Sequence, residues 1–188
     1  MLRRRFMEIA LDEVPQTAVT ATPRPDPSAV VERLYNDRGR ELWAFGRRLA
    51  LTPDECDDAV QEAHLRLWAS LARGTVVDDP AAWLFRVFYR LAMDRHRLSR
   101  RVRELLQRWP GRGQASAADP AERLSVWAAA DGLPPRERAA IYLHYRADMS
   151  FDRVATVMGI TPGAARTHAS RGVDRIRRRL TEIDEADR

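Results

Sequence analysis

The segment that most constrains the fold of this chain is Ser150–Leu180, which has the pattern of two helices joined by a tight turn. Ser150 can cap the first helix, because its hydroxyl oxygen accepts an otherwise unpaired backbone N–H. Gly159 ends that helix, since glycine readily takes the left-handed conformation of a C-terminal cap. Thr161 and Pro162 start the second helix with a capping hydroxyl and a proline at the first helical position. The segment is therefore predicted to be a helix-turn-helix.

In the second of these helices, apolar and basic residues lie on opposite faces. The apolar stripe, at steps of three and four residues, contains Ala165, Ala169, Val173, Ile176 and Leu180. The other face carries Arg166, Thr167, Ser170, Arg171 and Arg175. Small or polar residues between arginines suit a helix in the major groove, where arginine reaches guanine edges or phosphates. We therefore predict that this segment binds DNA; a solvated basic helix is the alternative.

Charge and cysteine content restrict the partner and the compartment. The net charge of +5 favours a polyanionic partner, although an arginine excess without any lysine also reflects coding bias. The single cysteine, Cys56, excludes an intramolecular disulfide and fits a reducing compartment. No apolar run approaches the roughly 18 residues that cross a bilayer. Acidic residues interrupt the segment after the N-terminal arginines, so a secretory signal is not expected. The sequence predicts a cytoplasmic protein without membrane insertion.

Helical spacing also dominates the N-terminal half of the chain. A first helix begins near Ser28, and its aromatic residues, among them Tyr35 and Trp43, are predicted to lie in the core. Thr52 and Glu55 have the spacing of a capping box that opens a second helix. The apolar face of this second helix is predicted to bury Val60, Ala63, His64, Leu67, Trp68 and Leu71.

A third helix is predicted to begin at Asp79-Pro80, with an apolar stripe on one face and a basic stripe on the other. The apolar stripe contains Trp83, Leu84, Val87, Phe88, Leu91 and Leu98, and the basic stripe contains Arg86, Arg90, Arg97 and Arg101. Five arginines and no acidic residue lie between Arg95 and Arg103. Such a helix can bind phosphates and stack on unpaired bases, unless its arginines form only a solvated face.

The chain is predicted to be all-α, with two small helical domains joined by a flexible linker. Residues 1–26 are expected to form a flexible tail, 27–104 the first domain, 105–121 the linker, 122–182 the second domain and 183–188 a short tail. Pro110, Gly111, Gly113 and Pro120 mark the linker.

Five motifs, in order, resemble those of bacterial RNA polymerase sigma factors of the compact extracytoplasmic-function (ECF) type. Asp58–Glu62 resembles the D-L-V-Q-E motif of region 2. Ala82–Val87 resembles A-W-L-F-R-I, which begins the promoter-melting helix, and Leu91–Asp94 continues that match. Leu133–Arg138 resembles the L-P-x-x-x-R opening of region 4, and Gly163–Thr167 resembles G-T-V-K-S in the recognition helix. The resemblance covers roughly residues 28–180.

The resemblance implies a promoter-specificity factor that binds core RNA polymerase through the β′ clamp helices and the β flap. The implied docking residues on the clamp helices are Asp58, Gln61 and Glu62. The implied −35 contacts are Arg166, Thr167, Ser170, Arg171 and Arg175. The implied −10 contacts are Arg86, Arg90, Asp94, Arg97 and Arg101. The loop Arg73–Asp79 would receive a flipped −10 base, and an anti-sigma factor is expected as a further partner.

Two departures from the family pattern bear on these roles. Many members carry asparagine where this chain has Arg90, and many place an aromatic residue where it has Pro80. The family's −10 contact therefore does not carry over directly to Arg90, and the promoter sequence does not follow from the resemblance.

Two other classes of function compete with this interpretation. A metal-dependent nuclease would need Asp57, Asp58 and Glu62 as Mg²⁺ ligands, but they share one helix without a second acidic cluster elsewhere in the sequence. The four histidines and Cys56 have no zinc-ligand spacing. No enzymatic activity, metal or cofactor is therefore expected. A stand-alone helix-turn-helix regulator, which would bind duplex DNA without polymerase, remains the alternative.

Overall fold

The computed structural model describes residues 26–107, Ala130 and residues 132–186, and all of its described secondary structure is helical. Three helices form the N-terminal block: α1 (Pro27–Arg48), α2 (Pro53–Ala72) and α3 (Pro80–Gln107). The C-terminal block contains α4 (Pro135–Ile141), which continues as a π-helical turn (Tyr142–Arg146), then α5 (Phe151–Met158) and α6 (Pro162–Ala186). The predicted all-α architecture is confirmed.

The predicted helix starts follow local capping chemistry. The Thr52 hydroxyl accepts from the Glu55 backbone N–H at 3.2 Å, and the Glu55 carboxylate accepts from the Thr52 N–H at 2.8 Å, which completes the capping box of α2. At the start of α3, the Asp79 carboxylate accepts from the Ala82 N–H at 2.9 Å. Each of these bonds satisfies a donor that the first helical turn would otherwise leave unpaired.

A single apolar core joins the two blocks. Phe45 of α1 and Phe88 of α3 are fully buried, and the same cluster includes Leu143 and Val154 of the C-terminal block. The ring of Tyr142 stacks on that of Phe45 with centroids 5.0 Å apart, and the Tyr142 hydroxyl donates to the Glu41 carbonyl at 3.1 Å. The α5 helix packs along α3. The sequence did not predict this contact between the blocks.

Several large apolar side chains that the helical spacing assigned to the core are exposed instead: Tyr35, Trp43, Trp68, Leu98 and Leu180. At the edge of the α1–α2 pair, the Trp68 indole N–H donates to the Ser28 hydroxyl at 3.3 Å. Leu98 lies in the second half of α3, which at 28 residues is longer than its two partner helices. These predictions were wrong because spacing identifies an apolar face but not how far the neighbouring helices cover it.

Parts of the predicted domain plan lie outside the described residues. These parts are residues 1–25 of the predicted N-terminal tail, residues 108–121 of the linker and residues 122–129 of the second domain. Within the described part, α3 continues to Gln107, three residues past the predicted end of the first domain at residue 104.

Candidate nucleic-acid interface

The helix-turn-helix predicted from Ser150–Leu180 is present, with the expected caps. The Ser150 hydroxyl accepts from the Arg153 N–H at 3.3 Å and begins α5. Gly159 ends α5 in the left-handed conformation with φ of 68°, which favours glycine because a Cβ would crowd the backbone there. The Thr161 hydroxyl then accepts from the Ala164 N–H at 3.2 Å at the start of α6. The two hydroxyl caps and the left-handed Gly159 thus define where α5 begins and ends and where α6 begins.

The α6 helix separates a buried face from an exposed one. Its buried residues are Ala165, Ala169, Gly172 and Ile176. Four of the predicted −35 residues, Arg166, Thr167, Ser170 and Arg171, are exposed on the opposite side. Two turns of this helix are thus presented to a DNA groove with small polar residues between two arginines.

One of the two arginines is held in place by an aromatic ring. The Arg166 guanidinium lies 5.4 Å from the ring centroid of Phe151, the first residue of α5. Phe151 in turn stacks on the His144 ring with centroids 4.0 Å apart. Because stacking uses the flat face of a guanidinium, its edge N–H donors stay available for a base or a phosphate.

Arg175, the fifth predicted −35 residue, makes an ion pair within the C-terminal block. Its guanidinium donates at 3.1 Å to the carboxylate of Glu137, a buried residue of α4. The pair ties the second half of α6 to α4, where Gly172 allows close approach to Ile141 and Glu137. Next to this contact, burial lowers the pKa of His168, and the neighbouring Arg136 lowers it further. Arg175 is therefore partly engaged in positioning the recognition helix.

The predicted −10 residues follow the same side of α3 but meet different surroundings. Arg90, Asp94, Arg97 and Arg101 line a cavity of about 1230 Å³ between α3 and the C-terminal block, together with Arg136 and His168. Arg97 pairs with Asp94 at 3.2 Å. Arg86 lies elsewhere, against α5 and the following turn. All five residues thus face or approach the C-terminal block.

The loop that follows α2 is held at its two ends and open in the middle. The Thr75 N–H donates to the Ser70 carbonyl at 3.1 Å, and Gly74 takes a positive φ of 81°. Val76 at the middle of the loop is 79% exposed. At the other end, the Asp79 carboxylate caps α3 and lies 2.6 Å from the Arg153 guanidinium of α5.

The predicted polymerase-docking residues Asp58, Gln61 and Glu62 share one face of α2 with further exposed side chains. Asp58 and Gln61 are exposed, and Glu62 accepts from Arg66 at 2.6 Å. Leu65, 55% exposed, continues this face one turn on, and Trp68 lies beside it. The face therefore combines acidic and apolar groups, which helical spacing did not predict because it placed Trp68 in the core.

The described residues contain no cluster of three or more histidine, cysteine or acidic side chains that could hold a metal ion. Among the helices in this part of the chain, none is both long and apolar enough to cross a bilayer. Cys56 is fully buried, and burial raises the pKa of its thiol to about 12.

Comparisons with known proteins agree with the order of these elements. Residues 34–119 match the family described as Sigma-70 region 2, and residues 123–176 match the family described as Sigma-70, region 4. The ECF RNA polymerase sigma factor SigL of Mycobacterium tuberculosis is 29% identical over 166 residues, which cover 83% of this chain and 92% of SigL. CarQ of Myxococcus xanthus, an RNA polymerase sigma factor, is 29% identical over 157 residues, covering 81% of this chain and 90% of CarQ.

Solved structures share the fold. The sigma factor RpoE of Bartonella quintana, in complex with the anti-sigma factor NepR, superposes with a TM-score of 0.63 at 22% identity, covering 80% of this chain and 96% of RpoE. CnrH, in complex with the cytosolic domain of CnrY, superposes with a TM-score of 0.59 at 23% identity, covering 82% and 90%.

Two successive regions of one family therefore match, in order, across most of the chain. The protein belongs to the sigma-70 family of RNA polymerase sigma factors, in its ECF group. It is a promoter-specificity factor that works with core RNA polymerase and promoter DNA, and a stand-alone regulator is not favoured.

Proposed function

We propose that this chain directs cytoplasmic RNA polymerase to its promoters by three separate surfaces, without catalysing a reaction itself. The observation that carries this proposal is the exposed face of α6. The α6 helix lies in the segment that matches region 4 of the sigma-70 family, and its exposed face presents Arg166, Thr167, Ser170 and Arg171 opposite the buried stripe. This face enters the major groove of the −35 element, while the C-terminal block rests on the β flap of the polymerase.

In the proposed −35 complex, the two arginines have different roles. Arg171 is exposed in the third turn of α6 and is the candidate for a bidentate contact with a guanine edge. Arg166 lies over the Phe151 ring and contributes a second guanidinium to the same exposed face. Arg175 contributes a phosphate contact and no base contact, because its guanidinium is also paired with the buried Glu137 carboxylate.

The −10 element is assigned to α3 and the loop before it. Arg86, Arg90, Arg97 and Arg101 provide positive charge along the helix for the separated strands, and Asp94 orients Arg97. The loop Arg73–Asp79, with its exposed middle, receives a flipped base.

Docking to the β′ clamp helices is assigned to α2. Asp58, Gln61 and Glu62 supply polar contacts, and exposed Leu65 and Trp68 supply apolar area on the same side of the helix. A mixed surface of this kind is typical of protein interfaces, where an exposed tryptophan contributes strongly to binding.

We further propose regulation by an anti-sigma factor. Two proteins with this fold, RpoE of Bartonella quintana and CnrH, have been solved in complexes of that type or with a cytosolic partner domain. An inhibitor that holds the two blocks of this chain together would keep its DNA-binding surfaces apart from a promoter.

The test is DNA recognition with and without core polymerase. Protein alone is expected to bind a promoter fragment weakly, and protein with core enzyme is expected to open it, as measured by permanganate reactivity of unpaired thymines near −10. Equal, tight binding of duplex DNA with and without core enzyme would contradict the proposal and favour a stand-alone regulator.

A further inference from the structure

Two stacked rings connect the π-helical turn after α4 with the recognition helix α6. The His144 ring, in that turn, stacks on the Phe151 ring with centroids 4.0 Å apart and an angle of 24° between the two planes. The Arg166 guanidinium of α6 lies over the Phe151 ring, 5.4 Å from its centroid. We refer to the rings of His144 and Phe151 together as the aromatic support of Arg166.

The aromatic support is itself fixed by neighbouring groups. Nδ1 of His144 lies 2.8 Å from the carbonyl oxygen of Met149. Because a carbonyl oxygen only accepts, Nδ1 carries the proton and donates it. The Tyr145 ring meets the His144 ring edge-on, with centroids 4.7 Å apart. Since His144 and Phe151 are both half-buried as well, their rings have a defined orientation at the start of α5.

The aromatic support is the group that can orient the Arg166 side chain. In the part of the chain that the structure describes, the Arg166 guanidinium has no ion pair and no hydrogen bond. An exposed arginine without such a partner samples many rotamers. The negative face of an aromatic ring attracts a cation, which favours the rotamers that place the guanidinium over Phe151. Arg171, five residues on, is exposed too, but no described aromatic ring lies against it.

The orientation of a guanidinium decides whether it reads a base or binds a phosphate. Guanine presents O6 and N7 in the major groove, and both can accept from one guanidinium only when its edge points at them. A mobile guanidinium also reaches phosphates, which every sequence offers. Orientation before binding reduces the entropy cost of ordering a long side chain on the DNA. The aromatic support therefore bears on sequence specificity more than on affinity.

We propose that Phe151, supported by His144, is a positioning residue that makes Arg166 a reader of one guanine in the −35 element. The two rings act through Arg166, and they lie outside the recognition helix. This inference rests on the proposed function for the identity of the DNA element, whereas the contact between Phe151 and Arg166 is defined within the chain.

Base preference at the −35 element tests the proposal in the complete initiation complex. In a promoter that the native chain transcribes with core polymerase, the base pairs around −35 are randomised, and transcripts are counted for each sequence. The native protein is expected to prefer guanine at one position, and Arg166→Gln is expected to lose that preference alone. Phe151→Leu is expected to lower the same preference by about two- to thirtyfold, the range of a cation–π contact, and to leave the other positions unchanged.

A double-mutant cycle separates positioning from packing. In the Arg166→Gln background, Phe151→Leu is expected to have no further effect on base preference, since the side chain that it positions is absent. In the Arg171→Gln background, which is the matched control, Phe151→Leu is expected to keep its full effect. Phe151→Tyr retains the ring and is expected to keep the native preference. His144→Asn keeps a donor for the Met149 carbonyl but removes the second ring, and is expected to give a smaller loss than Phe151→Leu.

The outcomes that would overturn the proposal are distinct from failure of the proposed function. An unchanged guanine preference in Phe151→Leu would overturn it, as would an equal loss of transcription from every sequence, which indicates a purely structural role. A uniform loss in Arg166→Gln would make Arg166 a phosphate contact and would also overturn it. A native preference in His144→Asn would remove His144 from the proposal. Absence of any transcript with the native chain would instead count against the proposed function.

A measurement on the free protein tests the contact without any promoter. In nuclear magnetic resonance spectra, the side-chain protons of Arg166 are expected to be shifted upfield by the ring current of Phe151, and its Nε–H group is expected to relax as a rigid group. Both features should be lost in Phe151→Leu, whereas the side chain of Arg171 should be mobile in both proteins. A freely mobile Arg166 side chain in the native protein would refute positioning before DNA binds.

Discussion

The close approach of α4 and α6 makes Gly172 a position where a single methyl group should destabilise the recognition helix. A Cβ at Gly172 would lie 2.5 Å from Cδ1 of Ile141 and 3.3 Å from Cβ of Glu137, whereas carbon atoms pack best at about 3.5–4.0 Å. Overpacking of this kind costs about 1–3 kcal/mol. Alanine also has a higher helix propensity than glycine, which is worth about 1 kcal/mol in the opposite direction. The net effect of Gly172→Ala is therefore expected to be a destabilisation of the folded protein by roughly 1 kcal/mol.

Gly163 provides the matched control, because it lies in the same helix and a Cβ there would have nothing within 4 Å. Gly163→Ala is therefore expected to stabilise by up to about 1 kcal/mol. Both changes alter the unfolded chain equally, so their difference reports the contact with α4. The two variants thus differ by about 2 kcal/mol in stability, so their melting temperatures should differ by roughly 4–8 °C, on the basis of about 2–4 °C per kcal/mol for a chain of this size.

Removal of the clashing atom extends this test. Ile141→Val deletes Cδ1 and is expected to recover part of the stability of Gly172→Ala, a coupling that a double-mutant cycle measures. Equal stabilisation by Gly172→Ala and Gly163→Ala, or strict additivity with Ile141→Val, would show that α4 and α6 are not in the contact described.

Three further predictions concern the proposed surfaces and one buried group. The triple variant Asp58→Arg/Gln61→Arg/Glu62→Arg should lose binding to core polymerase without a change in its circular dichroism spectrum. The control Glu32→Arg, at an exposed position of α1, should bind core polymerase normally. Retained binding by the triple variant would refute the docking role. Arg171→Ala should cost about 1–3 kcal/mol of binding free energy at a cognate −35 site with little change in protein stability. Arg175→Ala should instead lower the melting temperature, because it leaves the buried Glu137 carboxylate without its ion pair. DNA-binding titrations and melting curves distinguish the two variants, and the reverse pattern would contradict the assignment. Burial, and to a smaller extent Glu41, raise the pKa of Tyr142 from 10.0 to about 12. The folded state is therefore expected to lose about 2–3 kcal/mol of stability as the pH rises from 10 toward 12, because the unfolded chain releases this proton first. In Tyr142→Phe, urea denaturation should show a smaller loss of stability over that pH range, and an identical loss would exclude Tyr142 as its source.

The parts of the structure that the sequence predicted well depend on neighbouring residues. The capping box of Thr52 and Glu55 and the left-handed Gly159 need only the local chain, and both are present as predicted. The exposed face of α6 followed from spacing in the same way, because a helix rotates each residue by a constant angle.

The parts that the sequence did not predict depend on contacts between distant segments. Tyr142 bonds to Glu41 across 101 positions, and Arg175 pairs with Glu137 across 38, so no local pattern marks either partner. Trp68 was placed in the core because an apolar stripe has the same spacing whether or not another helix of the chain covers it. Likewise, nothing in the local sequence marks Arg153 as the ion-pair partner of Asp79.

The measurement that tests the central claim most directly is run-off transcription from fragmented genomic DNA of the source organism. Purified core polymerase is used with the chain, without it, and with the Asp58→Arg/Gln61→Arg/Glu62→Arg variant. Discrete transcripts that require the native chain and disappear with the variant are expected, and their start sites would identify the −35 and −10 sequences. Binding of the native chain to core polymerase with no new transcript from any fragment would contradict promoter-specific initiation by this protein.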